Sequence, residues 1–220
     1  MQLNANLELD RYEWAEQCLA ELLPACSNRQ VADVGCTGIS MRQPTLTYGG
    51  NWFGFDVAPK HELVEQWNID APFEGESDSF GVVLLLDVIE HLKNPWRGIR
   101  HIAEICAEGS FLVMTTPNPR WSRSRLNALR TGYPACFTQS DLNLNHHVFT
   151  PWPHIIAQLL VDNGFVVKRY VTLDGKQEWP DKPFNLRYPL RSAIAAVNML
   201  IERLDATACG MSYGIIAKKT

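Results

Sequence analysis

Two short runs in this chain, Glu90-His91 and His146-His147, carry side chains able to move a proton near neutral pH. Four carboxylates, Asp33, Asp56, Asp70 and Asp87, each close a run of residues with strand character. Between the first two lies a turn bearing two glycines, Asp33-Val34-Gly35-Cys36-Thr37-Gly38. A strand that enters a glycine-bearing turn and then a helix start brings main-chain N–H groups close to a nucleotide-like ligand. An acid ending the next strand, Asp56 in Phe53-Gly54-Phe55-Asp56, is placed to accept hydrogen bonds from ribose hydroxyls. Glu90 and His91 are as well suited to bracing a strand-to-helix turn, and His146 and His147 to standing on an exposed loop. The sequence leaves both readings open.

These residues need a frame that carries them to one edge. Strands are expected at Gln30 to Val34, Trp52 to Asp56, Glu62 to Ile69, Phe80 to Asp87, Phe111 to Thr115, Phe165 to Val171 and Ser212 to Ala217. The continuous Val/Leu run at 82–86 is what a central parallel strand, buried on both faces, requires. Helices are expected at Leu9 to Leu23, after the first strand (short, because of Pro44), at Trp96 to Ala107 behind an Asn94-Pro95 start, at Thr150 to Asp162, and at Leu190 to Leu204. The last packs on the sheet by default, with a homodimer contact or a membrane surface as the other readings. Thr172 to Tyr188 reads as loop. Alternating strands and helices argue for an α/β three-layer sandwich with a mainly parallel sheet. In such sheets ligands bind outside the carboxyl ends of the strands, where Asp33 to Gly38, Asp56, Asp70 and Asp87 to His91 would gather. Residues 117–148 break the alternation and read as a lid or substrate insertion within one domain spanning 1–220. Arg120, Arg123, Arg125 and Arg130 lie in it, as a solvated face or for anion recognition. Trp121, Tyr133, Phe137 and Trp152 wall an acceptor pocket or simply pack.

Composition sets the outer limits. The chain has 220 residues, 46% hydrophobic and 20% charged, which suits one globular domain. No signal peptide or membrane-spanning run is read, so the cytoplasm is expected. Six cysteines without C-x-x-C spacing argue for reduced thiols and against a structural zinc site, and no metal is expected. The formal charge of −4 hides an asymmetry: residues 1–116 hold 17 acidic and 7 basic side chains, residues 117–220 hold 7 and 13. An acidic first half suits a cationic ligand. No basic stripe interleaved with aromatics indicates nucleic acid.

The ordered set of motifs resembles the class I S-adenosylmethionine-dependent methyltransferases, in the small branch with a D-x-G-C-G-x-G turn and an E-H-L…P signature. Here these read Asp33-Val34-Gly35-Cys36-Thr37-Gly38-Ile39 and Asp87-Val88-Ile89-Glu90-His91-Leu92 with Asn94-Pro95. Thr115-Thr116-Pro117-Asn118, His146 to Pro151 and Asn163-Gly164-Phe165 resemble later family segments, so the likeness covers about residues 28 to 170. It implies a seven-stranded sheet with the last strand antiparallel, and S-adenosyl-L-methionine as cofactor. It also implies that Gly35 to Gly38 lie beside the methionine part, that Asp56 holds the ribose and that Val57 flanks the adenine. Asp70 would accept from the adenine amino group beside the Ala71 backbone, and Asp87 and Val88 would line the wall near the methyl. Thr37 and Ile39 stand where the family has glycine, and Gly81 where it usually has Asp.

Methyl transfer from a sulfonium asks the protein mainly to position an acceptor and exclude water, and a hydroxyl acceptor also benefits from a general base. The candidates are His91, His146, His147 and Glu90. The reading is methyl transfer to a small-molecule or glycan-type acceptor, most readily at oxygen. A methyltransferase-fold scaffold without catalysis is the alternative that Thr37 and Ile39 motivate. A nicotinamide-dependent oxidoreductase lacks its G-x-G-x-x-G.

Overall fold

The structure, a computed structural model, describes residues 3–5, 7–175 and 189–220. The stretch 176–188, within the expected loop 172–188, lies outside the described residues, and Thr172 and Leu173 belong to a strand.

In chain order the elements are β1 (Leu3–Ala5), α1 (Arg11–Leu22), β2 (Gln30–Val34), α2 (Arg42–Thr47), β3 (Asn51–Asp56), β4 (Val64–Gln66), β5 (Phe80–Leu86), α3 (Pro95–Ile105), β6 (Cys106–Pro117), α4 (Ser122–Thr131), α5 (Gln139–Leu144), α6 (Pro153–Asp162), β7 (Phe165–Leu173), α7 (Pro189–Leu204) and β8 (Ser212–Lys219). They form one sheet in the order β1-β7-β8-β6-β5-β2-β3-β4. All neighbours pair in parallel except β8, which runs antiparallel to both β6 and β7. The expected seven strands with the last one reversed are present. The short β1, which pairs with β7 and had no sequence signal, makes an eighth.

Every residue of β5 is buried, as its Val/Leu run demands. Alternate side chains serve two cores. Val83 and Leu85 join Ile99 and Ile102 of α3 and Leu159 and Leu160 of α6 on one face. Val82, Leu84 and Leu86 join Trp14, Leu19 and Leu22 of α1 on the other. Gly81 has its own cause: a Cβ there would stand 1.9 Å from the Asn28 carbonyl oxygen. From β2 the chain runs outward through β3 and β4, then returns to β5 and runs the other way to β6. The carboxyl ends of β2 and β5 therefore flank the crevice where α/β sheets take ligands.

Some boundaries differ from expectation for local reasons. The strand expected over 62–69 shrinks to β4, because Asn68 folds the chain back: its side chain accepts from the Asp70 N–H at 3.0 Å and its carbonyl from Ala71 at 2.8 Å. α3 stops at Ile105 because β6 begins at Cys106. α5 is an unforeseen helix, started by a capping box of Thr138 and Asp141. The largest correction concerns α7. Its apolar positions Ile194, Val197, Leu200 and Leu204 are exposed, while Ser192, Ala195 and Asn198 are buried. Glu202 accepts from Ser122 Oγ of α4 at 2.6 Å, so the helix packs by its polar stripe against α4 and not by its apolar stripe on the sheet. Among the described residues no helix is long and apolar enough to cross a membrane.

Candidate active site

The glycine turn after β2 is held by the strand beside it. The N–H groups of Gly35 and Cys36 both donate to the Phe55 carbonyl, at 2.7 and 3.3 Å. Gly35 has φ +75°, and a Cβ there would come within 2.5 Å of Val88 Cγ2, so neither the backbone nor the space admits a side chain. Thr37 takes the left-handed conformation that favours glycine, with φ 50°. Its N–H donates to Asp56 Oδ2 at 2.9 Å, and Ala58 N–H donates to Asp56 Oδ1 at 2.8 Å. The carboxylate at the end of β3 is thus pinned by the main chain on both oxygens. Ile39 is exposed and does not line the cleft. Asp33 is buried with the Trp52 indole N–H donating to it at 3.1 Å. Burial pushes its carboxyl up to about 7, the indole bond acting in the opposite direction. Burial likewise pushes the Cys36 thiol up to about 12, so this residue contributes backbone and bulk, not a thiolate.

Across the crevice, Asp87 at the end of β5 accepts from Thr115 Oγ1 at 2.6 Å and pairs with the Arg11 guanidinium. Arg11 is the first residue of α1, which a capping box of Asp10 and Glu13 starts. A single helical turn at Ile89–His91 follows Asp87. It points the Glu90 side chain inward, where only 1% of the residue is exposed and Thr116 Oγ1 donates to its Oε2 at 2.9 Å. Burial and the nearby charge of Asp87 raise the Glu90 carboxyl well above the ordinary range. The His91 imidazole is lowered, first by desolvation and then by His147, whose ring centroid lies 4.9 Å away.

His147 arrives from the far end of the 117–148 segment, and both ends of that segment are fastened. At its start the Asn118 side-chain amide donates to the carbonyls of Thr207, Gly210 and Cys209 at 3.1, 3.2 and 3.3 Å. At its end the N–H groups of Val148 and Phe149 donate to the Glu90 carbonyl at 2.9 and 3.1 Å. Between them, Arg120 at 3.2 Å and Arg125 pair with Asp205, so these two arginines serve an ion-pair network. Phe137 is buried and packs against the His147 ring, with centroids 5.7 Å apart.

A cleft of about 350 Å³ opens between these two sides. Of the residues singled out from sequence, it brings together Asp33, Gly35, Cys36, Thr37, Asp87, Glu90, His91 and His147. Gly38, Asp56, Val57, Asp70, Ala71, Val88 and His146 do not line it. Asp56 and Val88 stand directly behind the glycine turn, whereas His146 is exposed. Asp70 keeps a buried Oδ1 with no hydrogen-bond partner among the described residues. Arg11, Tyr12, Ser40, Leu86 and Pro117 also line the cleft, and sequence reasoning missed them. The capping box was legible in Asp10-Arg11-Tyr12-Glu13, but nothing local aims Arg11 at Asp87.

Comparison with known proteins agrees with this layout. A family model described as a methyltransferase domain matches residues 6–170. A SAM-dependent methyltransferase from Archaeoglobus fulgidus has a similar structure, with 19% identity and a TM-score of 0.62 over 97% of this chain and 96% of that one. Magnesium protoporphyrin IX methyltransferase from Synechocystis PCC 6803, solved with bound SAH, gives 15% and 0.58 over 96% and 84%. The [4+2]-cyclase SpnF gives 15% and 0.55 over 100% and 88%. At such identities the likeness concerns the fold. No curated protein matches. With three quarters of the sequence matched by the domain model and the strand order and glycine turn in place, the chain belongs to the class I S-adenosylmethionine-dependent methyltransferase family.

Proposed function

We propose that this protein transfers the methyl group of S-adenosyl-L-methionine to a hydroxyl oxygen of a small-molecule or glycan-type acceptor. One observation carries the reading: a single cleft joins the main-chain turn at Gly35 to Thr37 with Asp87, Glu90, His91 and His147. When bound, the cofactor supplies a methyl group on a sulfonium, already activated for in-line displacement.

The chain's own residues fit that ligand. Asp56 Oδ2 accepts from the N–H and the hydroxyl of Thr37 and Oδ1 from the Ala58 N–H, which leaves Oδ1 a lone pair for a ribose hydroxyl. The orphaned Asp70 Oδ1 suits the adenine amino group, with the Ala71 backbone alongside and Val57, exposed next to Asp56, flanking the ring. Asp33, Gly35, Cys36 and Thr37 line the methionine end with Gly38 continuing the turn, and Asp87 lines the wall near the methyl with Val88 packed behind Gly35. His91 and His147 take the proton of the acceptor hydroxyl, with Glu90 bracing the turn between them. His146 faces solvent and drops to a supporting place in the loop. Residues 117–148 cover the acceptor side. The six free cysteines support a cytoplasmic setting, and the exposed Val197, Leu200 and Leu204 of α7 suit a homodimer contact.

The test is titration calorimetry with S-adenosylhomocysteine on the wild type and on Asp56→Ala. Micromolar binding to the wild type, weakened at least a hundredfold by the substitution, is expected. A wild type that does not bind at millimolar concentration sinks the reading.

A further inference from the structure

We propose that Glu90, His91 and His147 form a site for one divalent transition-metal ion on the acceptor side of the cleft. Positions on the ion remain open for an oxygen atom of the acceptor. The three residues each offer a donor atom, and these atoms lie within 4.8 Å of one another. All three line the cleft. Donor atoms held about 2.1 Å from a tetrahedral zinc ion stand about 3.4 Å apart. The exposed His91 ring can close the difference by rotating, since Glu90 is fixed by burial.

The surroundings are those of ligands held from behind. His147 Nδ1 lies 2.6 Å from the Cys136 carbonyl oxygen. A carbonyl can only accept, so the proton sits on Nδ1 and Nε2 keeps its lone pair. Thr116 Oγ1 donates to Glu90 Oε2, leaving Oε1 for another partner. Such outer partners, here a main-chain carbonyl behind His147 and a hydroxyl behind Glu90, are the usual company of metal-binding histidines and carboxylates. The bonds from Val148 and Phe149 to the Glu90 carbonyl fasten the segment carrying His147 to the turn carrying the other two. Two imidazoles and one carboxylate suit Zn²⁺, Fe²⁺, Co²⁺ or Ni²⁺ and not Mg²⁺ or Ca²⁺, which prefer oxygen. Cysteine spacing, the only metal signal weighed in the sequence, is blind to this set.

What the ion does rests on the methyl-transfer reading; its ligands do not. With the ion bound, the lone pairs of His91 and His147 are spent on it and the two rings no longer serve as the base; the ion takes over that part by acidifying the bound hydroxyl, which releases its proton to solvent and is held in place for transfer. The test is titration of the full chain with Co²⁺, followed by calorimetry and visible absorption. One ion per chain at micromolar affinity is expected, with d–d bands and no thiolate charge-transfer band. Glu90→Gln and His147→Ala should each weaken binding by about a hundredfold. S-adenosylhomocysteine affinity, measured on the same samples, should stay unchanged and reports an intact fold. If Glu90→Gln does not fold, His91→Asn carries the same expectation. No Co²⁺ uptake by the wild type, a thiolate band, or uptake indifferent to these substitutions overturns the site. Co²⁺ binding without S-adenosylhomocysteine binding supports the site and overturns the methyl-transfer reading instead.

Discussion

One side of the cleft comes from a single stretch, Asp33 to Ser40, backed by Asp56, while the other draws Arg11, Asp87, Glu90 and His147 from segments far apart in sequence. On the first side the working groups are main-chain amides, and a carboxylate pinned by main-chain amides, with the turn fixed to β3 by two hydrogen bonds to Phe55. On the second side they are side chains, and the partly exposed Arg11–Asp87 pair is held by charge as much as by packing. The contrast teaches where each side is vulnerable. Changes to backbone and shape should cripple the first, whereas the second should answer to charge, salt and pH.

The strongest attempt to break this contrast is Gly35→Ala. It forces a side chain onto a φ of +75° and into Val88. A loss of about 3 kcal/mol of stability is expected from the left-handed penalty and overpacking together. Cofactor affinity should fall by more than a hundredfold. Thermal melting and S-adenosylhomocysteine calorimetry check both, and a variant that melts and binds like wild type shows that the turn is soft.

Asp33→Asn asks whether the main-chain side also carries a charge effect. Burial pushes the Asp33 carboxyl of the folded chain up to about 7 from an ordinary 3.8. Between those values the folded state binds the proton more tightly than the unfolded chain. Its stabilising contribution is therefore full below the lower value and is lost as pH rises through the upper one. Asn removes that slope, so the variant should gain on wild type between pH 5 and pH 8 by on the order of 2 kcal/mol. Urea unfolding at the two pH values measures it, and parallel pH dependences in both proteins contradict the assignment.

The smallest effect belongs to Arg11→Gln. Freed from its partner, Asp87 favours a cationic ligand over a neutral one. The ratio of S-adenosylmethionine to S-adenosylhomocysteine affinity should rise roughly threefold to tenfold at low salt, and the gain should shrink as salt is added. A ratio that does not move places the Arg11–Asp87 pair outside the electrostatics of the site.

The same contrast explains what could be read from the sequence. Strands β2, β3 and β5 to β8 were legible because their side chains face two cores or one, and burial writes itself into residue type. The glycine turn was legible because left-handed backbone selects residue type as well. β1 and β4 were missed or overdrawn, being three-residue edge strands fixed by main-chain pairing. Arg11 was invisible because its partner is 76 residues away and its helix shows in sequence only its cap and its buried stripe. His146 and His147 could not be separated. The φ of 56° at His146 turns the chain so that only the second ring enters, and no residue-type preference announces it. α7 misled because helical apolar spacing predicts burial, while Ser122 of α4 offered Glu202 a better contact on the other stripe.

The place of β8 in the sheet also governs how the molecule can be assembled. β8 lies between β6 and β7, hydrogen-bonded to both, yet is the last of the three in sequence. As the chain emerges from a ribosome, β7 and its partner β1 have no strand to join until Ser212–Lys219 has been made. The β6 edge, apolar and unpaired, must wait for it. That interval is when an unpaired strand edge can capture another chain, and it closes only when β8 is made, after the motif-bearing half.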